Sequence, residues 1–105
     1  MTTAPIRIRA RAVPGHTEVT LLMPHPMETG MRKDANGAFV PAHYITDVQV
    51  TAAGRVVLQA RLSQAVSQDP LLSFRYRGGQ LGDRLQVRWT DSRGEQRSDA
   101  VLVTA

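Results

Sequence analysis

The chain contains no cysteine, and this absence excludes several kinds of site. Disulfide bonds, thiolate metal ligands and thiol nucleophiles all require cysteine, so none of them can be present. A chain of 105 residues can still bury roughly two-thirds of its unfolded surface and needs no covalent cross-link to fold. We therefore expect one domain over residues 1–105, held together by a hydrophobic core.

Long apolar segments are also lacking. The N-terminal sequence alternates Ile and Arg, and no run reaches the length of a membrane-spanning helix or of the apolar core of a signal peptide. We accordingly expect neither a membrane segment nor a signal peptide of the chain's own.

The charge balance is basic, with twelve Arg and one Lys against nine acidic residues. Such an excess suits nucleic acid, anionic lipid or an acidic protein. The arginines are spread along the chain, and Phe74, Tyr76 and Trp89 fall in the apolar phase of their segments. Single-stranded nucleic acids need aromatic side chains among the basic ones. The pattern therefore favours a protein partner and no nucleic acid, although such Arg rows are also typical of the solvated face of a sheet.

Apolar and polar residues alternate with a period of two, which predicts strands throughout. Seven strands are expected, separated by turns rich in Gly, Pro and Asp. The segments are 6–12, 17–23, 41–51, 55–62, 71–77, 83–90 and 95–104. We expect one phase of each segment to face the core. In the third and fourth segments this phase comprises Tyr44, Thr46, Val48 and Val50, and Val56, Leu58, Ala60 and Leu62. In the first, second, fifth and sixth segments it comprises Ile6, Ile8, Ala10 and Ala12; Val19, Leu21 and Met23; Leu72, Phe74 and Tyr76; and Leu85, Val87 and Trp89. Seven short alternating strands in about 100 residues are typical of an immunoglobulin-like antiparallel β-sandwich. A small closed barrel is the main alternative.

Enzymatic motifs are weak or missing. There is no Gly-x-Ser-x-Gly nucleophile elbow. The segment Arg77–Asp83 carries three glycines, but it lies between two predicted strands, whereas a phosphate-binding loop leads into a helix. We interpret these glycines as providing positive φ in a strand connection, and we expect no enzymatic activity.

The connection 21–48 is the most distinctive part of the chain, and it reads LLMPHPMETGMRKDANGAFVPAHYITDV. Two prolines flank His25, and each favours extended geometry in the residue before it. His25, Glu28 and His43 are the imidazole and carboxylate groups that this connection could bring together, and three such ligands can hold a metal. The other interpretation is structural: a rigid tie with Met27 packed inward and Glu28 paired with Arg32 or Lys33.

Three segments, spread over essentially the whole chain, carry a resemblance to a known family. They read PIRIRARA, PHPMETGMRKDANGAFVPAHYIT and FRYRGGQLGDRLQVRWTDSRGEQRSD. The most specific part is His25-Pro26-Met27-Glu28-Thr29-Gly30 followed by Arg32-Lys33-Asp34. With these segments the chain resembles the SoxZ family, whose members are the smaller subunit of the SoxYZ sulfur-carrier complex of bacterial thiosulfate oxidation.

The resemblance implies an immunoglobulin-like, non-catalytic subunit without a cofactor that pairs tightly with SoxY. It further implies that SoxY carries the sulfur intermediates on an arm cysteine and that its signal peptide co-exports this chain to the periplasm. Transient contacts with SoxAX, SoxB and SoxCD are expected. The segment most suited to recognition of a partner comprises His25, Pro26, Met27, Glu28, Thr29, Gly30, Arg32 and Lys33.

Superoxide reductases are the alternative resemblance, because they share the sandwich class and elements like His25-Pro26-Met27 and His43-Tyr44-Ile45. Their iron centre needs four His and one Cys thiolate. This chain has three His and no Cys, so that centre cannot be assembled here. A metal or redox module at His25, Glu28 and His43 remains the second functional hypothesis.

Overall fold

The computed structural model describes residues 3–105 and consists of two antiparallel sheets. The strands are β1 (Arg7–Val13), β2 (His16–Leu22), β3 (Ile45–Ala52), β4 (Arg55–Arg61), β5 (Leu71–Arg77), β6 (Arg84–Asp91) and β7 (Gln96–Leu102). One sheet has the order β1-β2-β5 and the other β4-β3-β6-β7. The predicted seven-stranded antiparallel sandwich is confirmed. The described residues form no helix, and thus none that could cross a membrane.

The core lies between the sheets and follows the alternation of the sequence. Ile6 and Ala10 of the first segment are buried, and their neighbours Arg7, Arg9 and Arg11 are exposed. The same rule holds in β2 and β6. The largest fully buried side chains are Trp89, Leu21, Met23, Ile45 and Leu85. Each side chain of this size contributes about 1.5–3 kcal/mol by leaving water.

Two bulges in the pairing of β3, one with β6 and one with β4, change the predicted phase. The pairing with β6 shifts between Ile45 and Asp47, so that Ile45 and Val48 both face the core although they are three residues apart. The expectation that Thr46 faces inward with Val48 is therefore wrong, because a bulge inserts one unpaired residue and reverses the parity of the strand before it. Tyr44, which precedes the bulge, is partly buried and packs against the core.

The second bulge affects β4. Its pairing with β3 shifts after Val50, which is opposite Leu58, while Thr51 is opposite Val56. Val56 is 55% exposed, so its predicted inward position is wrong, and Val57 takes part in packing instead. The bulge reverses the parity of β4 at this point, and Val56 is therefore on the outer face.

The glycine-rich connection between β5 and β6 has the structural role that the sequence predicts. Gly78, Gly79 and Gly82 all have positive φ, between 80° and 89°. A Cβ on Gly79 would collide with the Thr17 hydroxyl and crowd the Tyr76 ring. Thr17 in turn donates a hydrogen bond to the Gly78 carbonyl at 2.9 Å. Glycine is thus required for close packing and not for phosphate binding.

The two lateral sides of the sandwich differ. Where β1 and β7 meet, Ile6 N donates to Asp99 Oδ2 at 2.8 Å, and Thr104 exchanges backbone hydrogen bonds with Ala10 and Ala12. Arg97 pairs with Asp99 and closes this side. On the opposite side, β4 and β5 are both sheet edges, and within residues 3–105 neither has a second partner strand. We call the gap between β4 and β5 the open seam.

Candidate functional site: a buried His–Asp cluster

Three distant parts of the sequence meet at one end of the sandwich. His25 follows β2, His43 precedes β3, and Asp91 is the last residue of β6. Their exposed fractions are 5%, 6% and 3%. We call these three residues the His–Asp cluster. It lies against the core, because the His25 ring contacts Trp89 edge to face, with 5.2 Å between centroids.

Backbone hydrogen bonds hold both histidines in place, independently of the contacts that their rings make. His25 N donates to Asp69 Oδ1 at 2.9 Å, and Asp69 N donates to the His25 carbonyl at 3.0 Å. His43 and Glu28 exchange two backbone bonds of 2.6 and 3.0 Å, which form a short antiparallel bridge. The segment around His25 is therefore tied to Asp69, in the connection between β4 and β5, and to His43, just before β3. These bonds hold both imidazoles in place.

The hydrogen bonds also define the state of the His25 ring. Met27 N donates to His25 Nδ1 at 3.1 Å, so that this nitrogen is an acceptor and carries no proton. His25 Nε2 therefore carries the proton and donates to Asp91 Oδ2 at 3.1 Å. His43 Nε2 is 2.7 Å from the same oxygen and serves as its second donor.

Asp91 is the centre of this arrangement. Its Oδ1 accepts from the backbone N–H groups of Arg93 and Glu95, both at 2.9 Å, and these bonds shape the β6–β7 turn. With two donors on each oxygen, the carboxylate has its acceptor capacity filled. Burial by itself raises the pKa of Asp91, but the hydrogen bonds from His25, His43 and the two backbone amides outweigh it, and the pKa lies below its usual value.

Met27 connects this segment to the hydrophobic core. Its φ is 49°, an uncommon value for a residue other than glycine, and its side chain is 5% exposed. The sulfur accepts a hydrogen bond from Ile45 N at 3.2 Å, at the bulged start of β3. This inward position agrees with the structural interpretation of the connection.

The predicted grouping of His25, Glu28 and His43 is wrong in one member. Glu28 turns away and forms an ion pair with Arg32 at 2.7 Å, which lowers the pKa of Glu28. Asp91 takes the place beside the imidazoles. The sequence does contain a signal for this residue, because Asp91 continues the inward phase of Leu85, Val87 and Trp89.

The rest of the predicted recognition segment lies at the surface. Pro26, Thr29, Arg32 and Lys33 are exposed, and Gly30 is packed against Ala42 with a φ of 86°. The connection then forms a small hairpin, in which Lys33 bridges Phe39 and its ammonium lies 5.3 Å from the ring centroid. Met31 and Phe39 are 80% and 62% exposed. That this segment contacts a partner remains a prediction.

The geometry of the cluster raises the question of a metal ion, because its three potential ligand atoms lie within 4.8 Å of one another. A metal ligand must offer a lone pair, but His25 Nε2 carries a proton as long as Met27 N–H occupies Nδ1. Coordination would require an imidazolate or the loss of that hydrogen bond. It would also displace both donors from Asp91 Oδ2. The donor set fits a hydrogen-bonded tie and not a resident metal.

A cavity of about 290 Å³ adjoins the cluster. Pro24, Pro26 and Trp89 supply apolar walls, and His25 and His43 line it from the side of the cluster. Trp89 Nε1 is buried and has no hydrogen-bond partner in the described part of the chain.

Known proteins share this architecture at low sequence identity. No curated protein sequence matches the chain significantly. Among solved structures, the hypothetical protein PH1083 from Pyrococcus horikoshii OT3 is similar with a TM-score of 0.68 and 13% identity, over 96% of this chain and 88% of that one. A mutant superoxide reductase (neelaredoxin) from Archaeoglobus fulgidus, in its reduced form, gives a TM-score of 0.67 and 17% identity, over 99% of this chain and 92% of that one.

Identities this low establish a shared fold and nothing about activity. The family comparison is more specific, because the model of the sulphur oxidation protein SoxZ matches residues 6–101. The match includes all seven strands but the last residue of β7, the whole PHPMETG connection and Asp91. The chain therefore belongs to the SoxZ family of sulphur oxidation proteins.

Proposed function

We propose that this protein is the non-catalytic subunit of a SoxYZ sulfur-carrier complex and pairs with SoxY, whose arm cysteine carries the thiosulfate-derived intermediates. The observation that carries the proposal is the family match over residues 6–101. The chain has no cysteine, so a sulfur atom bound as a persulfide or thiosulfonate must be held by another protein. Periplasmic location by co-export with SoxY is part of the proposal.

The geometry of the His–Asp cluster supports a scaffold role. Its carboxylate is occupied by four donors, and its three members are more than nine-tenths buried. A group of this kind holds loops in position. The connection it anchors presents Met31, Arg32, Lys33 and Phe39 to the outside, where a partner could be recognised.

Co-expression tests the proposal. The chain and a tagged SoxY should co-purify as a 1:1 complex at micromolar concentration, and both should appear in the periplasmic fraction only when SoxY keeps its signal peptide. The reconstituted complex should support thiosulfate oxidation with SoxAX, SoxB and SoxCD. A SoxY that stays separate from this chain, or thiosulfate oxidation without it, would contradict the proposal.

The exposed part of the connection can be tested separately. Arg32→Ala, with the exposed Arg93→Ala as a matched control, leaves the cluster untouched because the Arg32 side chain, among residues 3–105, hydrogen-bonds only to that of Glu28. If the segment contacts the arm of SoxY or a pathway enzyme, Arg32→Ala should reduce the thiosulfate oxidation rate severalfold while the heterodimer stays intact. Equal rates for both variants would remove Arg32 from recognition.

The metal hypothesis has a direct test as well. Elemental analysis of the purified chain should give less than about 0.1 iron or zinc per molecule, because the tautomer of His25 opposes coordination. Stoichiometric metal that is lost in a His43→Ala variant would favour the metal or redox module instead.

A further inference from the structure

We propose that the β4 edge of the open seam is the docking site for an extended strand of a partner protein, one with apolar alternate residues and an acidic residue near each end. This rests on the proposed function in one respect, namely that the partner subunit supplies the strand. Neither the family match nor the fold neighbours assign this surface. The observations are the free backbone groups of β4, the apolar seam beside it and the placement of its arginines.

The free backbone groups follow from the pairing. Leu62 N donates to the Thr46 carbonyl of the neighbouring strand segment at 2.9 Å. Since backbone groups in a strand point alternately to the two sides, those of Ala60 and Leu58 also face β3. The N–H and C=O groups of Gln59 and Arg61 must then face outward. Within residues 3–105 no strand covers them, and such an edge is a template for strand addition.

The seam beside β4 contains apolar side chains that are incompletely covered. Those of Val57, Leu58, Leu72, Phe74 and Tyr76 in the two edge strands are partly buried and packed against the core. A cavity of about 150 Å³ lies between Val57 and Tyr76, and Arg55, Arg77 and Asp83 also line it. A strand added about 4.8 Å beyond β4 would place its inward side chains over these groups. The opposite side of the sandwich is closed by Arg97, Asp99 and the C-terminal backbone.

The other free edge is less suited to this role. Strand β5 carries Arg75 and Arg77 as alternate exposed residues, so that charge lies in the middle and at the end of its edge. Charged side chains along an edge oppose pairing. In β4 the sequence between the terminal arginines is Val-Val-Leu-Gln-Ala, and Val56 is 55% exposed. The uncharged stretch therefore favours β4.

The arginines also discriminate between partners. Arg55 and Arg61 lie at equal distances in sequence from Leu58. Antiparallel pairing of β4 with β4 of a second copy would bring Arg55 of each copy close to Arg61 of the other, and like charges that meet across a strand pair are destabilising. A partner strand with Asp or Glu at these two positions would instead form pairs of opposite charge. The edge thus disfavours a second copy and favours an acidic partner.

Gln59→Pro is the decisive variant, with Gln59→Ala as its control. Proline removes the outward N–H of residue 59 but no bond to β3, and it is tolerated at edge positions of this kind. In co-purification and titration with SoxY, we expect Gln59→Pro to weaken the complex at least tenfold and Gln59→Ala to bind within threefold of wild type. Circular dichroism and thermal unfolding of the isolated variants will verify that both are folded.

Hydrogen exchange on the unmutated protein provides an independent measurement. The amides of Gln59 and Arg61 should exchange rapidly in the isolated chain and at least tenfold more slowly in the complex. Outward amides of β5, such as that of Arg75, should change less. Formation of the wild-type complex with no protection at Gln59 and Arg61, and with Gln59→Pro binding normally, would overturn the docking site and leave the proposed function standing.

Two further outcomes are informative. Failure of the wild-type chain to bind SoxY would overturn the proposed function and the docking site together. The isolated chain should sediment as a monomer in analytical ultracentrifugation at about 50 μM. A dimer that Gln59→Pro abolishes would show that a second copy occupies the edge, and would overturn the choice of an acidic partner.

Discussion

The His–Asp cluster and the open seam differ in how completely their buried groups are paired or covered. In the cluster, buried polar atoms are brought together until the carboxylate of Asp91 has four donors. In the seam, apolar side chains are only partly covered, and the Tyr76 hydroxyl is buried without a hydrogen-bond partner among the described residues. Satisfied groups lower the free energy of the isolated chain, whereas incompletely covered surface is stabilised by contact with another molecule.

The two regions therefore have different roles: the cluster stabilises the isolated chain, and the seam is the surface for interaction with a partner. The cluster ties both ends of the β2–β3 connection and the β6–β7 turn to the core, so we expect changes there to affect folding first. The seam contributes less to the stability of the isolated chain, so we expect changes there to affect complex formation first. Variants at either region can test this difference. Their expected effects on the unfolding free energy range from several kcal/mol to almost none.

Asp91→Ala should have the largest effect on stability. It leaves the donors of His25, His43 and two backbone amides without their acceptor inside the protein, and the loss of one partner from a buried network costs about 3–5 kcal/mol. Urea denaturation of the isolated chain measures it. Asp47→Ala is the matched control, because Asp47 is half-exposed beside Arg61, and it should change stability by less than about 1 kcal/mol. Equal effects would contradict a special role for the cluster.

The contribution of Asp91 should also depend on pH. Its pKa in the folded chain is lowered, whereas an unfolded Asp titrates at about 3.9. A lowered pKa stabilises the fold fully above the unfolded value, and this stabilisation is lost as the pH falls through the folded value. The difference in unfolding free energy between wild type and Asp91→Asn should shrink as the pH falls below about 4. A difference that grows on acidification would contradict this assignment.

Tyr76→Phe should have the smallest effect, and it tests the seam. The hydroxyl has no partner among the described residues, so its removal costs no hydrogen bond, and the unfolding free energy should stay within about 0.5 kcal/mol of wild type. Thermal unfolding of the isolated chain measures it, and Tyr44→Phe is a suitable control. A loss above about 1.5 kcal/mol would mean that the hydroxyl has a partner and that the seam resembles the cluster in satisfying its polar groups.

Much of the fold is accessible from alternation alone. The inward residues of β1, β2, β5 and β6 agree with the prediction because these strands are regular and carry one side chain to each face in turn. The errors fall at Thr46 and Val56. Each lies next to a β-bulge, and a bulge depends on how two strands fit together, which one strand's sequence does not reveal.

The candidate site is predictable in part. Its two histidines lie on either side of a connection that the sequence singles out, so their meeting is expected. The sequence suggests Glu28 as the carboxylate because that residue is close to His25 along the chain. Distance along the chain is misleading, since Glu28 finds a surface partner in Arg32 four residues away, while Asp91 is carried to the cluster by the end of β6.

The class of fold, the absence of thiol chemistry and, through the PHPMETG segment, the family can be recognised in the amino-acid sequence alone. These properties follow from the period of the side chains, from composition and from local motifs. The tertiary structure decided that the histidines are bound to Asp91, that His25 has the tautomer that opposes metal binding, and that β4 is left as a free edge. The physical reason is that burial, hydrogen-bond partners and free edges arise from contacts between residues far apart in the chain.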